Sequence, residues 1–243
     1  MTDTTIRLAK RVADMIPCSR GEAEQYIAGG WISVDGKVVE EAGARVADEQ
    51  EVTLHPAATL AEIAPVTILL HKPAGFGASG DPAATPASEL LDPATLAEGH
   101  GQPRFLKRHL AKLTLTAHLE TRASGLVVYT QDFRIARKLI DDGARVEQEY
   151  IVEVKGAIAE GGLALLNHGL SYNGKEIAPM KVSWQNETRL RFALKGVRPG
   201  QIVNMCKAVG LQVVSMKRIR IGRVPMASLP EGQWRYLLDY ERF

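Results

Sequence analysis

Between Pro17 and Gly30 the chain carries its own punctuation for one short helix, and that punctuation limits everything around it. Upstream, Ile6, Leu8, Ala9, Val12, Ala13, Met15 and Ile16 recur at a helical period over residues 5–16. Pro17 lacks the amide that would continue this helix and ends it. Ser19-Arg20-Gly21-Glu22 then spells a capping box, in which the serine and the glutamate satisfy each other's end amides. Gly29-Gly30 closes the second helix. Trp31 to Val34 and Lys37 to Val39 are short strands joined by Asp35-Gly36, a two-residue hairpin turn, and Glu51 to Leu54 adds another strand. Elements this short, in this order, fold as two helices against a small twisted sheet.

That unit uses only a quarter of the 243 residues, and domains cluster near 100–150 residues, so a second domain follows. Residues 56–65, alanine-rich between Pro56 and Pro65, read as a connector. The expected organisation is a small domain over 1–58, a linker over 59–65 and a larger domain over 66–243. Apolar and charged fractions of 45% and 24% are ordinary for a chain with a sizeable core. Cys18 and Cys206 lack paired spacing, which excludes a disulfide framework and a zinc ribbon and suits a reducing cytoplasm. Neither a signal-peptide pattern nor a membrane-length apolar run is present, so the expected location is cytoplasmic.

The larger domain opens with a buried-type strand, Val66 to His71, and a Gly-, Pro- and Ala-rich stretch over 73–103, read as a long surface loop with one helical turn at Ser88 to Leu91. Strands follow at Leu126 to Thr130, Glu149 to Val154, Val182 to Trp184, Leu190 to Leu194 and within Val213 to Arg223. Helices are expected from Phe133, capped by Asp132, over Leu163 to His168, and over Gln201 to Val209. Hairpin-joined strands interrupted by helices predict an α+β fold with a largely antiparallel sheet.

Charge is unevenly spread. From Lys181 to Arg223 ten basic residues face a single acid, Glu187. Between Arg104 and Arg145 the bases again outnumber the acids. Such a distribution favours a polyanionic partner. In the first domain acids exceed bases, so binding there must use a local face. Arg7, Lys10 and Arg11 share one at helical spacing, with Arg20 nearby. His71, His109 and His118 have no ligand spacing, and no metal is expected.

Three runs in the first domain, Arg7-Leu8-Ala9-Lys10, Ser19 to Ile27 and Gly30 to Lys37, resemble the S-four domain, a small RNA-binding unit first seen in a ribosomal protein. Arg7, Lys10, Arg11 and Arg20 are its expected RNA-binding residues. In the second, His118-Leu119-Glu120-Thr121-Arg122-Ala123-Ser124-Gly125-Leu126 resembles the signature of RNA pseudouridine synthases of the RsuA branch. His71-Lys72-Pro73-Ala74-Gly75 resembles that family's N-K-P-x-G turn, Val146 to Tyr150 its V-x-K-x-Y block, and Gln201-Ile202 with Met205-Cys206 its R-Q-I-R-R-M helix.

The resemblance implies conversion of a uridine in RNA, most closely ribosomal RNA, to pseudouridine, without cofactor or metal. The target base leaves the stack to reach the pocket. It implies a carboxylate acting at the sugar, a tyrosine against the uracil, and an arginine from the later helix pairing with the carboxylate. Carried over, the carboxylate is Glu120 in place of aspartate and the tyrosine is Tyr150. The arginine position holds Val203, and the next basic position holds Asn204. Ala117, His118 and Ala123 replace the family's glycine, arginine and threonine. His118, Arg122, Lys72, Gln201 and Arg198 are the expected substrate-binding residues. Two functions compete, a monomeric RNA-uridine isomerase that uses Glu120 and an RNA-binding homologue without turnover, as in ribosome assembly; a third reading, an S-four domain fused to another RNA-modifying activity, ranks last because the sequence offers no glycine-rich cofactor loop. A longer carboxylate moves its oxygens by about 1 Å, which can cost roughly 100-fold in rate.

Overall fold

The computed structural model describes residues 5–78, 82–99 and 103–243, and it divides into two compact units. The first runs to Ala64 and takes in Arg104–Ala111, and the second holds Pro65–Pro103 and Lys112–Phe243.

In the first unit β1 (Thr5–Arg7) precedes α1 (Leu8–Met15) and α2 (Arg20–Ala28). The helix expected from residue 5 starts three residues later. Thr5 to Arg7 pair instead with β4 (Arg45–Ala47), and the Arg45 guanidinium donates to Thr5 Oγ1 at 3.0 Å and Thr5 O at 2.8 Å. The capping box forms as its sequence dictates: Glu22 N donates to Ser19 Oγ at 3.2 Å and Ser19 N to Glu22 Oε2 at 2.7 Å. β2 (Ile32–Val34) pairs with β3 (Lys37–Val38) and β5 (Val52–Leu54). Asp35 and Gly36 both take positive φ, 50° and 76°, as a tight hairpin demands. Leu8, Val12, Ala23, Ile27, Ile32 and Val52 form the core between helices and sheet.

Arg104–Ala111 packs on this unit as a strap. Leu106 is buried, and a Cβ on Gly30 would come within 2.9 Å of its Cδ2. The Arg104 guanidinium stands 5.0 Å from the Trp31 ring centroid, and Lys107 N donates to Glu40 Oε2 at 2.8 Å.

The second unit is α+β. Its main sheet contains β6 (Thr67–Lys72), β7 (Thr114–Leu115), β8 (Ser124–Thr130), β9 (Glu147–Lys155), β12 (Lys181–Trp184), β13 (Arg189–Lys195), β14 (Gln212–Ile221), β15 (Val224–Pro225) and β16 (Trp234–Tyr236). The order is β12-β13-β9-β14-β8-β6-β16, with β15 on β14 and β7 on β8; every pairing is antiparallel except β14 with β8. Off the sheet lie α3 (Phe133–Ile140), α4 (Gly162–Asn167), the hairpin β10 (Ser171–Tyr172) and β11 (Lys175–Glu176), and α5 (Gln201–Ala208). Asp132 Oδ1 accepts the Arg134 amide at 2.8 Å and so caps α3.

The 73–103 stretch, of which 79–81 and 100–102 lie outside the described residues, is tied down more than a surface loop requires. It carries two 3-10 turns, Ala87–Leu90 and Pro93–Thr95, where the sequence predicts one helical turn. Trp234, fully buried, donates its indole N–H to Asp92 O at 2.8 Å. Among the described residues no helix is long and apolar enough to cross a membrane, and no group of three or more His, Cys, Asp or Glu is arranged to hold a metal ion.

Candidate active site

One row of paired positions crosses the sheet: Lys72 on β6 faces Gly125 on β8, Gly125 faces Arg218 on β14, Arg218 faces Tyr150 on β9, and Tyr150 faces Phe192 on β13. Gly125 is the hinge of this row. Its φ is +113°, and a Cβ there would lie 2.2 Å from Arg218 O, so no other residue fits. With no side chain between them, two buried cations, Lys72 and Arg218, flank the same spot, and neither shows a carboxylate partner among the described residues.

Backbone carbonyls take the place of carboxylates. Arg218 donates from Nη2 to Ala117 O, from Nη1 to His118 O and from Nε to Leu126 O, each at 2.8 Å. Lys72 Nζ reaches Ala123 O at 2.6 Å, Thr121 O at 3.3 Å, and Pro73 O and Phe76 O at 2.9 Å. Burial, and next the Arg218 guanidinium, push its pKa down to about 8. The two cations therefore grip the loop 117–123 from both ends. Its middle is held by a turn from Ala123 N to Glu120 O at 3.0 Å and by Gly75 N to Thr121 O at 2.7 Å.

Glu120 sits at the centre of that loop and is half-buried. Its Oε1 accepts the Gly200 amide at 2.8 Å, at the start of α5. The Tyr150 phenol donates to Gln148 Oε1 at 2.7 Å, and the same oxygen accepts Arg218 Nη1 at 3.1 Å, so phenol, amide and guanidinium form one chain. Glu120 and Tyr150 line one cleft of about 250 Å³. His118 and Arg198 add its polar side, and Leu119, Ile202 and Met216 its apolar side.

The structure thus brings Glu120, Tyr150, His118 and Arg198 together. It does not bring Arg122, which is exposed and does not line the cleft. Lys72, expected to meet substrate, is fully buried and holds the loop from behind. Gln201 is buried as well; its Oε1 accepts the Arg198 amide at 3.1 Å, which fixes the chain just before α5. Val203 and Asn204 are exposed on α5 and outside the cleft lining. Arg218 and Gln148 escaped the sequence reading. The inward phase that Arg218 shares with Met216 on β14 was the available signal for the first.

Of the residues expected to meet RNA in the first unit, Arg7 and Lys10 are exposed with no acid partner among the described residues. Arg11 lies 3.7 Å from Asp48 and Arg20 3.3 Å from Glu24, surface pairs worth about 0–1 kcal/mol. The basic run of 181–223 is also less free than its count suggests. Arg218 is buried, and Arg191 and Arg220 bind Glu149 at 2.6 and 2.7 Å. Arg220, by hydrogen bonding, holds the Glu149 carboxyl below the usual range.

Residues 6–52 match the S4 domain family. An RNA pseudouridine synthase of Aquifex aeolicus is 28% identical over 242 residues, covering 97% of this chain and 94% of that protein. The small-subunit ribosomal pseudouridine synthase A of Escherichia coli is 27% identical over 240 residues, covering 97% and 98%. Over nearly its whole length the chain is therefore similar to RNA pseudouridine synthases of the RsuA branch, with an S4 domain at its start. A solved pseudouridylate synthase, 22% identical and covering 96% of both chains, shares the fold with a TM-score of 0.59.

Proposed function

We propose that the protein isomerises uridine to pseudouridine within ribosomal RNA, and that the Glu120 carboxylate acts at the sugar. One observation carries the reading: Glu120 and Tyr150, from different elements, line a single cleft with their polar ends held. Glu120 Oε1 is occupied by the Gly200 amide, and its second oxygen has no protein partner among the described residues. That oxygen faces the chemistry. The target base leaves the stack to enter the cleft, the C1′–N1 bond breaks, the uracil turns, and a C1′–C5 bond forms. C5 loses a proton and N1 gains one, so no atom is added and no cofactor is required. Glu120 serves as nucleophile at C1′ or as base at the sugar. Tyr150 packs against the uracil, and Arg198 and His118 meet the flanking backbone.

The start of α5 does for Glu120 what the arginine does in the family. A helix N-terminus carries about half a positive charge, and its amide is aimed at the carboxylate without a flexible side chain to order. Support for the substrate comes from the relatives, one of which is named for the small ribosomal subunit. The experiment is to incubate the protein with ribosomal RNA transcripts and map new pseudouridines. Product that vanishes in Glu120→Ala establishes the assignment, and product that persists in it removes Glu120 from the chemistry.

One observation favours a second reading, an RNA-binding homologue without turnover. Val203 stands exposed where the family has arginine, and no guanidinium reaches Glu120 among the described residues. RNA retained without product, with product gained in Glu120→Asp/Val203→Arg, is the outcome that selects it.

A further inference from the structure

We infer that the surface around α3 is a second RNA contact, a stacking platform with phosphate-binding arginines for unpaired nucleotides outside the cleft. The inference rests on the proposed RNA substrate and names a part of the surface that the cleft does not include.

Phe133, the first residue of α3, is 72% exposed, and Ile140 at the other end is 51% exposed. Seven positions apart, the two fall on one face of the helix, so the apolar surface left in water is shared by a pair and not a single scattered side chain. Its neighbours are cationic. The Arg134 guanidinium lies 5.7 Å from the Phe133 ring centroid, and Arg137 and Arg145 line the same hollow of about 530 Å³. Lys138 also lines it, with its ammonium on the Phe243 carbonyl oxygen. Three acids stand nearby. Asp132 is spent on capping α3, Asp142 lies 3.9 Å from Arg145, and Asp141 is exposed.

An exposed ring beside several guanidinium groups is the combination that takes unpaired nucleotides. The ring and the planar cation stack on bases, and the remaining charges meet phosphates. A protein partner would also cover Phe133, but four cations, Arg134, Arg137, Lys138 and Arg145, line the hollow against one acid, Asp142, and that imbalance favours RNA. Arg198 lines the cleft and also a neighbouring groove of about 610 Å³ that contains Lys181, Lys195 and Gly196. A Cβ on Gly196 would meet Ala144 O at 3.5 Å, so that groove abuts the 3-10 turn Gly143–Arg145. Arg145 then belongs to the α3 hollow. Lysine or arginine thus lies in each of the three hollows, with Arg198 shared by the first two.

The test uses the full chain and a small-subunit ribosomal RNA transcript, with binding measured across a salt titration. Phe133→Ala should weaken binding roughly tenfold and leave the salt slope unchanged, since a stacked base is lost and no phosphate. Arg134→Ala/Arg137→Ala should weaken binding and flatten the log–log slope by about 1–2 units, near 0.7–0.9 per phosphate. These positions are exposed, so circular dichroism and melting should match the wild type. Ultraviolet cross-links from 4-thiouridine-substituted transcript should map to α3 and fade in Phe133→Ala. Variants that bind with unchanged affinity and slope, while the wild type binds and isomerises the RNA, overturn this inference alone, and a protein partner is then the occupant to pursue. A wild type that neither binds nor isomerises the RNA overturns the proposed function and this inference with it.

Discussion

Glu120 accepts a hydrogen bond from the backbone amide of Gly200 at 2.8 Å, across eighty positions of sequence. The bond joins the signature loop to the first turn of α5, so the carboxylate and the cleft wall formed by Val197, Pro199 and Ile202 move as one piece. It also explains how a glutamate is accommodated. A longer side chain has more rotamers to lose, and an amide fixed by a helix start removes that freedom at its tip.

The first prediction concerns the donor. Gly200 has φ +74°, and a Cβ there would meet the Tyr172 hydroxyl at 3.0 Å. Gly200→Ala forces an L-residue into the left-handed region at about 1–2 kcal/mol, and relief of that strain turns the amide away from Glu120. The pseudouridine assay should show kcat lowered by roughly 10- to 100-fold with RNA affinity nearly unchanged. An unaltered kcat would show that the anchor does not matter to the chemistry.

A second prediction concerns Arg218. Its guanidinium satisfies Ala117 O, His118 O and Leu126 O, and it shares Gln148 with Tyr150. Arg218→Met keeps the bulk and removes every donor. Each buried carbonyl left unsatisfied costs about 1–3 kcal/mol, so thermal unfolding should show a loss of several kcal/mol. Arg218→Lys retains charge but supplies a point donor in place of the fork, and should recover only part of that loss. Equal stability of Met and Lys variants would mean that the fork geometry is irrelevant.

The helices, the capping box and the hairpin of the first unit were legible because each is set by residues within four positions of one another. Ser19 with Glu22 and Asp35 with Gly36 needed no tertiary information. The cleft pair Glu120 and Tyr150 was legible through the motif. What lay beyond reach was anything fixed across strands. Lys72 sits beside a proline and glycine turn and reads as an exposed cation, yet its strand is buried throughout and its ammonium meets four carbonyls. The strap is of the same kind: its basic residues read as part of the larger domain's charge, while Leu106 is committed to the first unit at Gly30. β1 was hidden because Thr5 to Arg7 fit a helical period until β4, forty residues on, supplies their partners.

A third prediction follows from the close approach at Gly125. A methyl group at this position meets Arg218 O at 2.2 Å and N at 2.6 Å, both backbone atoms that cannot rotate away. Gly125→Ala must part β8 from β14, the one pair of named strands in the main sheet that runs parallel among the described residues. Destabilisation should reach about 3 kcal/mol or more, a severe loss by the measure of single substitutions. Chemical denaturation would register it as a lower midpoint with an unchanged slope. Gly143→Ala, where a Cβ meets nothing within 4 Å, serves as the control and should change little.

Lys72 gives the last prediction, through pH. Its ammonium is held down to about 8 by burial and by Arg218, whereas in the unfolded chain a lysine titrates near 10.4. Between those values the unfolded state binds more protons than the folded one, so the contribution of this residue to stability rises with pH across that window. Below about pH 8 both states are protonated and the contribution is flat, at its least favourable. Lys72→Met removes the titration while keeping a long side chain. The stability of the wild type relative to Lys72→Met should therefore increase by roughly 2 kcal/mol from pH 7 to pH 9.5, measured by urea unfolding at each pH. The neutral amine donates two hydrogens rather than three to the carbonyls of Thr121, Ala123, Pro73 and Phe76, so the loop bearing Glu120 should loosen over the same range. Amide hydrogen exchange at Ala123, whose N–H closes the turn onto Glu120 O, should quicken beyond the ordinary base-catalysed increase. A constant stability difference across the window would place the ammonium in a far more solvated setting than four converging carbonyls allow.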